Sequence, residues 1–448
     1  MILDKSLRPS DLGPVLQHFW DISAEKVILL SGRNDLDGGP ATHTVSGKYR
    51  GRPWTDWARG FQYGSALLQF EATGDERFLQ MGRDNTLAQM RPHLTDFGVH
   101  DHAFNVVSTY GNLWRLMEEG RIPEELASRR LCEQALCVSG AVQARRWTAL
   151  GPSAGFIYSF NGPHSLFIDT VRTLRSLALA HLLGQRLREE GGREISLHER
   201  LKQHLVTTAR YNVYYGEGRD IYDVRGRVAH EALFDTLDGS FRAPSTQQGY
   251  SPFSTWTRGL SWAICGFAEQ LEYLSFAGDG ELLPQVRDAA RATADFYIEA
   301  ASAADGVPYW DTGAPGLFQL GNWRSVPADP CNRFEPVDSS AAAIASQGLL
   351  RLGVHLRDDD YVAAGLCIAR AILQAPYLSE HGPHEGLLLH GVYHRPNGWD
   401  NVPPGQVVPS GEATMWGDYH ARELALCIGR VTHGEPLPTF FAQRAGAP

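Results

Sequence analysis

The segment Gln248–Gly266, QGYSPFSTWTRGLSWAICG, places Trp256, Arg258 and Trp262 at the head of a long apolar run with helical periodicity. Residues four apart share a helix face, so Arg258 and Trp262 are expected one above the other. A guanidinium between the indoles of Trp256 and Trp262, next to the Gln248 amide, suits a ring that carries a carboxylate. Arginine grips a carboxylate at two points, and flat indole faces cover sugar rings. The segment therefore points to an acidic carbohydrate.

Two carboxylates stand out by context. Asp101 lies in Gly98-Val99-His100-Asp101-His102-Ala103-Phe104, and Asp169 lies in Pro163-His164-Ser165-Leu166-Phe167-Ile168-Asp169-Thr170; both sit at helix starts. Two acids facing one cavity provide what glycosidic chemistry needs: one gives a proton while the other positions water or tunes its partner. The plainer alternative is that each acid caps its helix. The apolar flanks of Asp169 weigh against capping there, because a shielded carboxyl can keep its proton near neutral pH. For Asp101 capping and catalysis are compatible.

Other chemistries lack their signatures. Neighbouring side chains of the His100-Asp101-His102 run diverge on a helix, and there is no HExxH, paired cysteine or acidic calcium loop, so no metal is expected. Gly216-Glu217-Gly218 lacks the further Gly and Lys-Ser/Thr of a phosphate cradle, and no GxSxG elbow marks a nucleophile, so no cofactor is expected either.

The elements that must position these residues are helices. Apolar residues recur at three and four in Leu12–Leu30, Trp57–Glu71, Glu76–Met90, Ala103–Met117, Pro123–Trp147 and Leu166–Leu183. They recur again in Ile195–Tyr215, Thr255–Leu274, Glu281–Ala301, Ser339–Leu352, Asp360–Leu373 and Ala413–Ile428. Short turns join several neighbours: Thr73-Gly74-Asp75, Ala277-Gly278-Asp279-Gly280 and Arg357-Asp358-Asp359-Asp360 supply a helix stop and the next cap. Trp57-Ala58-Arg59-Gly60 and Trp256-Thr257-Arg258-Gly259 form a weak internal repeat. Repeated helix hairpins suggest an all-α (α/α)6 barrel, with an open solenoid as the competing arrangement. The segments between hairpins, such as Gly151–Ser165, Tyr215–Phe253, Gly306–Val337 and Gly382–Gly411, are long and would build a pocket at one end. No low-complexity linker interrupts the chain, so residues 1–448 are expected to form a single domain.

Bulk composition sets outer bounds. The chain is 43% hydrophobic and 21% charged, with net charge −10 and no basic block. That argues against nucleic acid and anionic membrane partners, but not against a small anionic substrate met by a local Arg/His pocket. The six cysteines form no CxxC pair and are expected as free thiols, mostly buried, in a reducing compartment. The N-terminus lacks a signal-peptide pattern, and no run approaches the roughly 18 apolar residues of a membrane helix, so a cytoplasmic protein is expected.

Several separated motifs together resemble the unsaturated glucuronyl hydrolases of glycoside hydrolase family 88. They are Trp57 with Gly60-Phe61, His100-Asp101 with Phe104, Ile168-Asp169, Gln248-Gly249, and Ser254 through Gly259 with Trp262. Asp338 through Ala345, His390 through His394, and Trp416-Gly417-Asp418-Tyr419 follow in the same order. The resemblance covers most of the chain. It implies a single (α/α)6 barrel acting on oligosaccharides left by polysaccharide lyases, with removal of the terminal 4,5-unsaturated uronic acid by hydration of its C4=C5 vinyl ether. It further implies Asp169 as general acid/base and Asp101 as supporting acid. Trp57, Phe61, Trp256 and Trp262 would wall the uronate subsite, and His230, Gln248 and Arg258 would contact its polar groups. The implied partner is an unsaturated uronate-terminated oligosaccharide; the oligomeric state stays open. The chain departs from the family pattern at Ala58-Arg59, Ala103, Val171-Arg172-Thr173 and the loop Trp399–Ser410. Arg59 and Arg172 would be extra anion contacts or surface charges. Competing readings are an unsaturated rhamnogalacturonyl hydrolase, a sugar 2-epimerase and a non-catalytic sugar-binding protein.

Overall fold

The computed structural model describes residues 1–33, 36, 38–52, 56–380 and 382–441. In chain order its helices are α1 (Gly13–Leu30), α2 (Arg59–Thr73), α3 (Glu76–Gln89), α4 (His102–Val106), α5 (Asn112–Glu118), α6 (Leu126–Arg145) and α7 (Thr170–Thr173). After them come α8 (Arg175–Leu182), α9 (Leu197–Tyr211), α10 (Thr257–Ala277), α11 (Leu283–Phe296), α12 (Ser339–Leu356), α13 (Asp359–Ile372) and α14 (Met415–Thr432). The expected segments are present, but two inner ones are broken. A π-helical turn, Val107–Gly111, joins α4 to α5, and the stretch Leu166–Leu183 opens as a strand and bends at Leu174 between α7 and α8.

Burial sorts the helices into two layers. In α12 every side chain from Ser339 to Gly353 is buried, so it is enclosed on all sides. In α11 burial is confined mainly to Val286, Ala289, Ala290 and Thr293 with their neighbours, the single stripe of an outer helix. The inner helices α2, α4–α5, α7–α8, α10, α12 and α14 pack in that order, and α14 returns to α2. The ring therefore closes into an (α/α)6 barrel, with α1, α3, α6, α9, α11 and α13 outside.

Local chemistry explains the joints. After α2, Gly74 takes a left-handed φ of 70°, and the Asp75 side chain accepts from the Arg77 N–H to start α3. After α12 no glycine is present, so Arg357 itself adopts φ 54° before Asp358 caps α13. A Cβ on Gly60 or Gly64 would stand 2.4 Å from the carbonyl oxygen of Asn105 or Ser108, so only glycine lets α2 approach α4 and the π turn so closely.

The barrel axis is filled by charge as well as by hydrocarbon. Arg172 pairs with Glu269 and with Glu423 at 3.0 Å, and Gln347 Nε2 donates to Glu423 at 3.0 Å. Arg172 is thus neither a surface charge nor an anion contact; an inner-helix position points it at the axis. Arg59 is buried too, at the head of α2. All six cysteines are free thiols; Cys132, Cys265, Cys367 and Cys427 are buried, whereas Cys331 is exposed. Among the described residues no helix is long and apolar enough to cross a membrane.

One small antiparallel sheet matters most for the site. Strand Ser165–Phe167 pairs with Glu231–Phe234, which pairs with Phe241–Ser245. Its register aligns Phe167, Glu231 and Ser245 in one row. Asp169, His230 and Gln247-Gln248, one to three residues beyond that row, therefore emerge at the same edge. The Ile168 N–H donates to the His230 carbonyl at 2.9 Å and continues that row.

Candidate active site

That edge opens onto a cavity of ≈ 250 Å³. Asp169 arrives from the sheet, Asp101 from the head of α4, and Gln247 and Gln248 from the end of the third strand; all four line the cavity. Trp57, Phe104, Trp256 and Trp262 give it aromatic walls. Neither aspartate side chain caps its helix. Both carboxyls remain available to the cavity although each residue is more than nine-tenths buried.

His100 links the two acids. Its Nε2 lies 3.3 Å from an oxygen of Asp101 and 3.3 Å from an oxygen of Asp169. The three donor atoms lie within 4.8 Å of one another, a grouping that could also hold a cation. The acids are closer than the roughly 6.5–9.5 Å that an inverting glycosidase leaves between its carboxyl groups for water.

Their environments push the two acids apart. Burial raises the Asp101 carboxyl to about 6; the His100 charge opposes this and the Asp169 charge adds to it. Burial also acts upward on Asp169, but the hydrogen bond and charge of His100, helped by the Arg258 charge, outweigh it and hold Asp169 below its ordinary value. Burial alone would lower the His100 imidazole, yet the two carboxylates more than compensate and raise it. The expectation that Asp169 keeps its proton by shielding is therefore corrected. It is as buried as expected, but it touches a cation-forming ring, and Asp101 carries the raised value instead.

Arg258 also departs from expectation. Its guanidinium carbon lies 4.6 Å from the Trp256 ring and 5.0 Å from the Trp416 ring, so the second indole is Trp416, not Trp262. Trp262 packs instead on Phe104 at 4.8 Å and on His420 at 5.0 Å. The guanidinium donates to Asp338 Oδ2 at 3.1 Å, Gln248 Oε1 at 2.9 Å, and the carbonyls of Val392 and Tyr393. Because the Gln248 oxygen accepts from Arg258, the amide nitrogen of Gln248 is the end left to donate elsewhere.

Two further expected contacts lie behind the cavity wall. Phe61 is fully buried and packs on Phe104 at 5.3 Å and edge-on to Trp57 at 6.1 Å, so it supports the wall rather than lining it. His230 is 3% exposed, beneath Phe167 and Trp256. Its Nδ1 accepts from the Gln247 N–H at 3.0 Å, which puts its proton on Nε2. Burial holds that ring neutral, down to about 4. His230 Nε2 and Gln247 Oε1 are buried and have no protein partner among the described residues. Buried polar atoms are rarely left so unless a ligand or water completes them.

Phe160, Gln247, Tyr393 and His394 also line the cavity, beyond the residues expected there. Tyr393 and His394 fall inside a motif already singled out, and His100 directly precedes Asp101; Phe160 carried no such signal.

No family model matches the chain. An unsaturated glucuronyl hydrolase of Bacillus sp. (strain GL1) is 29% identical over 412 residues, covering 89% of this chain and 93% of that protein. The chain is a relative of the unsaturated glucuronyl hydrolases. An unsaturated chondroitin disaccharide hydrolase of Streptococcus pyogenes serotype M1 is 24% identical over 398 residues, covering 86% and 84% of the two chains. The crystal structure of the unsaturated glucuronyl hydrolase from Bacillus sp. GL1, described as responsible for glycosaminoglycan degradation, shares the fold. It gives a TM-score of 0.70 at 23% identity and covers 96% of this chain and 99% of that one. These relatives are glycoside hydrolases, and this relative of theirs is an enzyme of that class.

Proposed function

We propose that this chain removes a terminal 4,5-unsaturated uronic acid from oligosaccharides by hydrating the C4=C5 vinyl ether. The observation that carries the reading is the acid pair, joined through His100 and facing an aromatic cavity sized for about one sugar ring. A single domain built on the closed ring serves as its frame.

The pair begins with one proton between its members, which titrate together. The Asp101 carboxyl carries it at rest. A uronate entering the cavity brings negative charge, which favours protonation of Asp169, the general acid/base. The proton goes to C4, water adds at C5, and Asp169 takes the proton that water gives up. The pair ends as it began, and the C5 hemiketal collapses with release of the remaining sugar. Trp57, Trp256 and Trp262 enclose the ring, the Gln248 amide nitrogen donates to its carboxylate, and Gln247 Oε1 accepts from a hydroxyl. Arg258 holds Gln248 and the Val392–Tyr393 carbonyls in place.

Loss of ultraviolet absorbance on incubation with lyase-generated disaccharides reads the reaction directly. Asp169→Asn is expected to abolish that loss with the fold intact. In heavy water deuterium should enter at C4. Release of the sugar without deuterium at C4 would show ordinary anomeric hydrolysis and overturn the reading.

A further inference from the structure

Building on the reaction proposed above, we propose that His100 is the positioning residue of the acid pair: its Nε2–H holds Asp169 while the same ring stands beside Asp101, which makes their one proton common to both. Its Nε2 lies 3.3 Å from an oxygen of each carboxyl; the hydrogen bond runs to Asp169, and Asp101 is within ion-pair distance. A ring that donates to one carboxylate and stands beside the other keeps the first ionised and couples the two titrations, which favours one ionised and one neutral member.

The ring has little freedom to do anything else. It is 1% exposed, lies edge-on to Phe167 at 5.5 Å and meets Phe160 at 6.0 Å. Its own carbonyl accepts from Gln143 Nε2 at 2.8 Å and Thr173 Oγ1 at 3.2 Å, which fastens this backbone to α6 and α7. Its Nδ1 is buried without a partner among the described residues, so the ring's hydrogen bonding is directed at Asp169.

The other charged or titratable groups around it are already committed. Arg146, at the end of α6, donates to the carbonyls of Phe97, Tyr158 and Ser159. His204, on α9, accepts from the Ile157 N–H at 3.0 Å and is kept neutral by burial. His230 accepts from Gln247, and Arg258 is engaged by Asp338 and three other acceptors. Among these groups only His100 reaches both acids.

The test compares His100→Phe, which keeps a ring but no N–H, with His100→Gln, which keeps a neutral N–H. For His100→Phe we expect kcat to fall by about 100-fold or more, the scale of a proton-transfer defect, with KM within about threefold. Both limbs of its kcat/KM profile should move to higher pH by about one unit, because both acids lose a cationic neighbour. His100→Gln should recover about tenfold of the loss. An unshifted pH profile, or a loss carried by KM, would overturn the proposal. Carbon-13 NMR titration of aspartate-labelled protein gives a readout without turnover. Wild type should show one raised and one lowered buried carboxyl, and His100→Gln, or His100→Phe where it folds, should show both raised relative to wild type. Unchanged titrations would overturn the role of His100 whether or not the disaccharides are consumed.

Discussion

Replacing Asp101 with Asn should abolish activity and at the same time stabilise the fold at neutral pH. The Asp101 carboxyl rises from 3.8 to about 6 on folding because burial penalises its charge. At pH 8 the wild type must hold that carboxylate ionised, which costs on the order of 3 kcal/mol relative to the unfolded chain, at about 1.36 kcal/mol per pH unit. Asparagine, similar in shape and neutral, removes this cost. The sign follows from proton binding: between pH 3.8 and about 6 the folded protein binds this proton more tightly than the unfolded chain does. Stability drawn from Asp101 is therefore full below pH 3.8 and is lost as pH rises through about 6. The advantage of Asp101→Asn should be near zero at pH 4, grow through pH 6, and plateau above it.

The unfolding entropy of about 2.1 cal/mol/K per residue, taken over 448 residues, is about 0.9 kcal/mol/K. An effect of about 3 kcal/mol thus raises the thermal midpoint by about 3 °C at pH 8. Differential scanning calorimetry of wild type and variant at pH 4, 6 and 8, at one scan rate, measures this. A midpoint difference that is flat with pH, or a variant less stable at pH 8 than wild type, would refute the assignment of the raised carboxyl to Asp101.

The wild-type kcat/KM should fall about tenfold per pH unit on the alkaline side of about pH 6, as the free site loses the proton carried by Asp101; a rate that rises from pH 6 to 8 would contradict this. Phe160→Ala, at a cavity-lining side chain that is 41% exposed, should raise KM by about tenfold with kcat little changed, as steady-state kinetics on a disaccharide would show. Arg172→Met removes the nearest cation from Glu269 and Glu423 on the barrel axis, leaving Arg175 and Arg351 near Glu269 and the Gln347 and Tyr419 hydrogen bonds on Glu423, and should cost about 3 kcal/mol, or about 3 °C in calorimetry. Gly60→Ala drives a methyl into the Asn105 carbonyl and should lower stability by about 1–3 kcal/mol, checked by the same midpoint; an unchanged midpoint would mean that α2 and α4 can separate without loss.

The helices were legible because their apolar spacing is strong; recurring hairpins fit a ring or an open solenoid alike, and the packing of α14 on α2 decides for the ring. The breaks were not. Nothing in the composition of Val107–Gly111 announces a π turn; it becomes intelligible only against Gly60 and Gly64, whose bare backbones lie on the facing helix. The residue types of the site were legible, and their partners less so. Trp262 stands one helical turn from Arg258 in sequence, but the indole beside the guanidinium is that of Trp416. Residue 416 reaches position 258 only because α14 closes the ring next to α12, a consequence of topology that local spacing does not carry. The proton of the acid pair was misplaced for a related reason. Apolar flanks indicate burial, and both acids are buried, but the balance of charge depends on which cation each carboxyl meets.

That balance also explains why the acid pair, and not Arg258, sets the polarity of the cavity. Asp338 takes the Arg258 guanidinium on one oxygen; its other oxygen accepts from the backbone of Ser340, Ala341 and Val392 and from the Ser340 hydroxyl. The Asp400 carboxyl accepts from the Tyr393 and His394 N–H groups, whose loop supplies another acceptor for Arg258. The guanidinium is thus neutralised from behind, and its hydrogen bonds are spent on building the wall. A buried arginine left unpaired at the cavity would draw both acids strongly toward the ionised state and remove the proton that carbon protonation needs. With its charge answered by Asp338, Asp101 can keep a proton near pH 6 while Asp169, one hydrogen bond from His100, does not. Carboxylates that never face the cavity thereby help set which of the two that do can act as acid.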